Sequence, residues 1–343
     1  MHPDRSRYRA GRGYLAACTL GLPALETERA VAADLERWAS GRASAADYSA
    51  VLERARGHAA ALLGVRPEDV ATGSQTSALV AVAAAAAPHG AEIVCAHGDF
   101  SSIVAPFLAR DGLRVRHVPV DALADAIGPE TWLVSYSLVQ SATGELADAR
   151  AIARAAREAG ALVLCDVTQA AGWMPVTGID ADLLVCHAYK WLSAPRGAAF
   201  AAFSARAVRE FAPLQAGWYS GEDPWASCYG PELHLAAGAR RFDVSPAWHA
   251  WVGAEIALGL AASADLEATR AHDLALANAF RARLGLAPTD SAIVAWPDAD
   301  GSALAALGEA GVVASGRAGR ARVAFHVWND EDDVELAAST LGR

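Results

Sequence analysis

Lysine is almost missing from this chain. Of the 29 lysines and arginines in 343 residues, Lys190 is the single lysine and the other 28 are arginine. Arginine serves as well on a surface or in an ion pair, so neither solvation nor salt bridging explains the exception. A guanidinium does not give up its proton, whereas a lysine amine does so readily once desolvated. The surroundings of Lys190, "CHAYKWLSAPRG", are apolar and aromatic. A reactive amine is the reading that needs lysine at this position; the plain alternative is a lone surface lysine.

Other scarcities exclude whole classes. The five cysteines, Cys18, Cys95, Cys165, Cys186 and Cys228, are scattered without a C-x-x-C pair. That distribution speaks against a disulfide framework or a zinc site and for reduced, buried thiols in a cytoplasmic protein. Uncharged apolar runs of membrane-spanning length are absent. "RSRYRAGRG" followed by "YLAACTLGLPAL" has the charged-then-apolar order of a secretory signal, but Gly21 and Pro23 interrupt the run. The expectation there is a basic arm leading into a short strand. Positive charge is also short, at 29 − 39 = −10 with histidine neutral. An extended nucleic-acid or anionic-membrane surface is therefore not expected, and a small anionic substrate needs local cations.

What is present is a large apolar chain, 53% hydrophobic, about twice a common single-domain length. The pattern divides it into an arm (1–25), a large domain (26–230) and a smaller α+β domain (231–343). "ETERAVAADLERWASG" and "SAADYSAVLERARGHAAALLG" carry helical spacing and end at glycine. Strand-length apolar runs then alternate with helices: "DVATG", "EIVCA", "RVRHVPV", "TWLVSYS", "ALVLCD" and "ADLLVCHA". "SQTSALVAVAAAAAPHG", "FSSIVAPFLARDG" and "DARAIARAAREAG" are expected to be the helices between them. Strands buried on both faces and separated by helices give an α/β fold with a mainly parallel sheet. In the last third, two helices precede short strands "AIVAWP", "GVVAS" and "RVAFHVW" and a closing helix.

In open α/β sheets ligands sit at the carboxyl ends of the strands. That rule nominates residues 73–76, 99–100, 141–144, 166–169 and 187–190, where polar side chains also cluster. Asp166 ends an apolar strand, so it either caps a helix or pairs with a cation such as a protonated ring nitrogen. The turn "GSQTSAL" runs from strand into helix, and the free N–H groups at Gln75 and Thr76 make an anion site. It is neither a Walker loop nor a dinucleotide fingerprint. An amine for an aldehyde, an anion cup and a carboxylate for a pyridine nitrogen are together the parts that hold pyridoxal phosphate.

The ordered segments "GSQTSAL", "GDFSSIVAP", "SLVQSATGELAD", "LCDVTQAAG", "CHAYKWLSAPRG", "AGWYSGEDPW", "RRFDVSPAW" and "RARVAFHVWND" resemble the class V aminotransferase family. Those are fold-type I pyridoxal-phosphate enzymes, among them cysteine desulfurases, kynureninases and isopenicillin N epimerase-like proteins. The resemblance runs over nearly the whole chain. It implies a seven-stranded, mainly parallel sheet, a homodimer, and an amino-acid substrate worked at Cα through an aldimine with Lys190. It also implies roles: Asp166 on the pyridine nitrogen, Gln169 on the phenolic oxygen, Phe100 on the ring face. Gln75, Thr76, His187 and Tyr189 fall at phosphate-side positions, and Thr143 joins the cofactor-binding set. Trp218 and Ser245 match positions that reach a phosphate across the dimer interface, and Arg322 matches the clamp for the substrate carboxylate. Arg317 and Arg320 stand close to it in sequence. The loop before Arg322, "GVVASGRAGRAR", carries no cysteine, which speaks against desulfurase chemistry. Amino transfer, β-substituent loss as in a C–S lyase, and epimerisation stay open, with amino transfer placed first.

Overall fold

The structure is a computed structural model describing residues 4–343; residues 1–3, the start of the arm, lie outside the described residues. Its centre is a seven-stranded sheet: β1 (Val70–Gly73), β2 (Glu92–Ala96), β3 (Arg114–Val118), β4 (Thr131–Ser137), β5 (Leu162–Asp166), β6 (Leu183–His187) and β7 (Ala199–Phe203). The strand order is β1-β7-β6-β5-β4-β2-β3. β2 to β6 run parallel to one another along their pairings, and β7 lies antiparallel to both β6 and β1. Two antiparallel steps return β1 to the common direction, so Gly73 ends at the same edge as Ala96, Ser137, Asp166 and His187. That edge gathers the nominated strand ends.

Helices cover both faces, as continuous apolar strands require. Helix Thr76–Ala86 packs on one face, with Val80, Ala83, Phe107, Leu164 and Val185 in its core. Helices Ala45–Leu63, Ala149–Ala159 and Trp248–Ser263 cover the other, over Val163, Cys165, Phe200 and Trp251. Local signals set the ends of several helices. The Ser44 and Asp148 side chains accept from the N–H groups of Asp47 and Ala151. Gly64 and Gly160 terminate the same two helices. β7 was not singled out from the sequence: "AFAAF" lacks β-branched residues, and it is extended because it completes the sheet between β1 and β6.

A second sheet, β8 (Ile293–Pro297), β9 (Ser315–Arg317) and β10 (Arg320–Ala324), is antiparallel in the order β8-β10-β9. Helices Leu266–Arg283 and Glu331–Thr340 close its core around Phe280, Val323, Phe325 and Val334. Three expectations need correction. Among the described residues the arm forms no strand; single bridges, Tyr14 to Val313 and Ala16 to Ala324, tie it to the second sheet. The segment after Phe100 is not one helix but a turn at Ser101–Ile103 and a short helix at Ala105–Leu108. Pro106 lacks an N–H and sits in the first turn of that short helix, where no intrahelical bond is lost. The strand read from "GVVAS" begins only at Ser315, its valines being spent on the loop that meets the arm. Helix Ser302–Glu309 was not anticipated.

Candidate active site

A cavity of about 250 Å³ opens at the carboxyl edge of the large sheet. Its walls come from seven places along the sequence. The arm contributes Cys18 and Thr19, the β1 turn Gln75 and Thr76, and the β2 and β4 ends Phe100, Ser137 and Ser141. The β5 and β6 ends bring Asp166, Gln169, His187 and Lys190, and the β9–β10 hairpin brings Arg317 and Arg322.

Lys190 is buried, with 5% of its surface exposed. Burial pushes its amine down from 10.5 to about 8; Asp166 opposes that shift, and the Arg322 guanidinium adds to it. Its Nζ lies 5.1 Å from the centre of the Phe100 ring and 5.8 Å from that of Tyr189. The turn that carries it is closed by Ser193 N–H donating to the Lys190 carbonyl at 2.8 Å. Ala194 N–H donates to the Ala188 carbonyl at 3.0 Å. Outside it, Gly21 N–H donates to the Tyr189 carbonyl at 2.9 Å. A Cβ on residue 21 would stand 2.0 Å from the Lys190 carbonyl oxygen, so glycine is what lets the arm approach.

Asp166 ends β5 fully enclosed, and burial pushes its carboxyl up against the pull of Thr168 and Lys190. Its Oδ1 accepts from the Thr168 N–H at 2.8 Å. No regular helix begins after it; the carboxylate instead caps the turn that follows β5. Beside it, His187 is held down to about 4 by burial, with Arg196 and Lys190 adding to the effect. The imidazole is therefore neutral at physiological pH. Its Nε2 is buried without a hydrogen-bond partner, which costs the fold unless a ligand satisfies it. Gln75 precedes the first turn of helix Thr76–Ala86, whose leading N–H groups have no intrahelical acceptor.

Arg322 is nearly inaccessible, at 1% exposure. Its Nε donates to Ser315 Oγ at 3.1 Å, Nη1 to Ser141 Oγ at 3.0 Å and to the Ser141 carbonyl, and Nη2 to Thr19 Oγ1 at 2.8 Å. All these partners are neutral; among the described residues no carboxylate pairs with it. Burial accordingly lowers its proton affinity. A buried cation held only by neutral groups is poised for an incoming anion.

Three candidates stand apart from the cavity. Thr143 donates its hydroxyl to Gln140 Oε1 at 2.9 Å and accepts from the Glu145 N–H. Trp218 packs on Tyr219 and Trp225, with ring centres 4.2 and 5.2 Å away. Ser245 is exposed. Gln169 is at the cavity, but its amide nitrogen donates to the Cys18 carbonyl and to Ser141 Oγ, both at 2.9 Å. A further acceptor must displace one of them. Sequence reading passed over Cys18, Thr19 and Arg196, which also line the cavity, and named Arg317 only as a neighbour of Arg322. Arg317 alone carried a signal: its place two residues from Ser315, opposite Arg320 in the hairpin, gives it the face that Ser315 and Arg322 share.

These residues fit pyridoxal phosphate on chemical grounds. They offer one amine of lowered basicity, a buried acid beside it, free helix N–H groups, an orphaned imidazole nitrogen and an unpaired guanidinium.

Comparison with known proteins agrees. The profile of the family described as aminotransferase class-V matches residues 30–305. A kynureninase of Deinococcus radiodurans is 30% identical over 72% of this chain and 62% of its own length. An isopenicillin N epimerase of Amycolatopsis lactamdurans is 33% identical over 51% of this chain and 50% of its own. The matches thus span between half and two thirds of these relatives. Among solved structures, the cystine C-S lyase C-DES, in complex with its product cysteine persulfide, overlays with a TM-score of 0.86 at 21% identity. The overlay covers 96% of this chain and 97% of that one. The cysteine desulfurase CsdA of Escherichia coli gives 0.83 at 20% identity, over 99% and 96%. Both overlays speak for the fold. With the profile covering most of its length and the cavity furnished with groups that fit pyridoxal phosphate, the chain belongs to the aminotransferase class-V family.

Proposed function

We propose that this enzyme works at Cα of an α-amino acid, with Arg322 binding the carboxylate and Lys190 moving the Cα proton as base and then acid. The observation that carries the reading is the pairing, in one cavity, of a buried lysine of lowered basicity with a buried arginine that lacks a carboxylate partner. An amine near pH 8 can both accept and return a proton at working pH. A planar guanidinium suits a carboxylate better than a point charge does.

Pyridoxal phosphate, when bound, supplies an aldehyde for the amine and a ring that accepts the electrons left at Cα. Toward that group, Asp166 would keep the pyridine nitrogen protonated and Phe100 would cover a ring face. Gln75, Thr76, His187 and Tyr189 would seat the phosphate end, and Gln169 would donate to the phenolic oxygen after releasing one present acceptor. Trp218 and Ser245 would serve the site of a second copy, which makes the working unit a homodimer. Thr143 acts at one remove, by holding Gln140. The division at residues 25 and 230 into arm, large domain and small domain is part of the same reading.

Amino transfer is the outcome placed first. A second outcome, loss of a β-substituent, draws support from the overlay on a cystine C-S lyase. Epimerisation comes third. Residues 311–322 hold no thiol, and the cysteine that lines the cavity is Cys18 on the arm; a desulfurase reaction is not proposed. Holoenzyme incubated with a panel of amino acids decides between outcomes. Keto acid formed only with an added keto-acid acceptor identifies amino transfer. Pyruvate and ammonia formed without one identify β-loss. Borohydride treatment that leaves Lys190 unmodified overturns the whole reading.

A further inference from the structure

Behind the lysine turn lies a buried pair that the chemistry above does not use. His326 follows β10, four residues after Arg322, and is 3% exposed. Its Nδ1 lies 2.7 Å from Asp273 Oδ2, and its Nε2 lies 3.0 Å from the carbonyl oxygen of Trp191, the residue after Lys190. A carbonyl can only accept, so Nε2 carries a hydrogen. Nδ1 then either donates to the Asp273 carboxylate or accepts from its protonated form. In both cases the pair holds one proton and the imidazole is locked with Nε2–H toward the lysine turn.

The Trp191 carbonyl is confined from its other side as well. A Cβ on Gly172, whose φ is +110°, would stand 2.9 Å from it. The Trp191 indole packs edge-on against His326 at 5.2 Å and donates from Nε1 to Gln169 Oε1 at 2.8 Å. Gln169 reaches Ser141 Oγ, which in turn accepts from Arg322. The residue next to the reactive amine is thereby fixed from two directions, by its peptide through His326 and by its ring through Gln169. An apolar pair in place of His326 and Asp273 would burden the fold less, because Asp273 Oδ1 is buried with no partner. It could not, however, grip a carbonyl.

We propose that Asp273 and His326 are positioning residues for Lys190: Asp273 sets the proton arrangement of His326, and His326 anchors the turn that keeps the amine buried. This rests on Lys190 being the reactive amine. The test uses the fact that the chain has one lysine. In the full chain stripped of cofactor, the acetylation rate of Lys190 against pH, read by peptide mass spectrometry, gives the amine's midpoint. It is expected near 8 in the unaltered protein. His326→Ala and Asp273→Ala release the turn, admit water, and are expected to raise the midpoint by about one unit toward its solvated value. Asp273→Asn can donate its amide hydrogen to Nδ1 and preserve Nε2–H, so it is expected to hold the midpoint close to the unaltered one.

The groups facing the amine (Asp166, Cys18, Cys186 and Arg322) and those near Asp273 (His272 and Tyr8) are untouched by these changes. Circular dichroism checks folding. If His326→Ala does not fold, the comparison of Asp273→Ala with Asp273→Asn decides, and coincident midpoints for that pair overturn the proposal. The reconstituted holoenzyme supplies a second readout, the pH midpoint of its visible absorbance, expected to move in the alanine variants alone. Shifted acetylation midpoints in a protein that gains no absorbance with pyridoxal phosphate would remove the cofactor reading and retain the positioning role. Normal absorbance with unmoved midpoints would remove the positioning role.

Discussion

At the scale of single residues, placing a lysine in this cavity opposes folding. The Lys190 amine falls from 10.5 to about 8 inside the protein. The folded chain therefore binds that proton less tightly than the unfolded chain does. Between pH 8 and 10.5 the unfolded state holds more protons, so stability rises with pH across that window. Below it, the mismatch costs the cofactor-free fold about 3 kcal/mol. Lys190→Met, similar in length and without charge, is expected to stabilise the cofactor-free protein at pH 7 by up to about 3 kcal/mol, with the gain fading toward pH 10. Urea denaturation at pH 6, 8 and 10 measures it. A variant less stable than the parent at every pH would show that the amine is not desolvated as described. The cost explains why the position is not filled by lysine for packing alone.

At the scale of elements, the arm and the lysine turn behave as one unit because of Gly21. Adding a methyl there brings a carbon within 2.0 Å of the Lys190 carbonyl oxygen and 2.6 Å of Ser193 Oγ. The Lys190 carbonyl and the Ser193 Cα, 2.9 Å from the added carbon, cannot swing aside, since Ser193 sits at φ +56° and closes the turn. Gly21→Ala is expected to lower stability by about 2–3 kcal/mol, in the range of overpacked sites, and to weaken retention of pyridoxal phosphate through dialysis. Gly57→Ala is the control. It lies inside helix Ala45–Leu63 with nothing within 4 Å of an added Cβ, so a gain of about 1 kcal/mol is expected. Equal melting temperatures for the two variants would refute the close approach.

The same pair shows why the site was only partly legible in the sequence. Asp166, His187 and Lys190 could be found because each follows an apolar run that has to be a strand, and the ends of parallel strands meet at one edge. Cys18 and Thr19 could not, since the arm reaches the cavity by bridges to residues some 300 positions away. No local period encodes such an approach. Arg322 was found through its motif, but its three neutral partners come from the arm, from the β4 end and from β9. β7 went unread because alanine carries little strand preference, and its neighbours impose the conformation.

At the scale of the whole molecule, one stretch of this chain is rich in exposed apolar side chains. The stretch from Leu214 to Leu233 exposes Trp225 at 50% and Tyr229 at 94%, with Leu214 and Leu233 also open. Large apolar side chains left open in one stretch are what an association surface would cover. Trp218, in the same stretch, is absent from its own chain's cavity. A homodimer that carries Trp218 into its partner's site accounts for both features. Light scattering is expected to give twice the 35.6 kDa chain mass, and Tyr229→Asp together with Trp225→Asp to shift it toward one. Complementation tests the exchange itself. Lys190→Met and Trp218→Ala are each expected to be inactive or nearly so as pure dimers. After the two are unfolded together and refolded, random pairing makes half the dimers mixed, and one of the two sites in each mixed dimer has both natural residues. Activity should then recover to about a quarter of the parent's. If Trp218 served the site of its own chain, no site in any mixed dimer would be whole, and mixing would restore nothing.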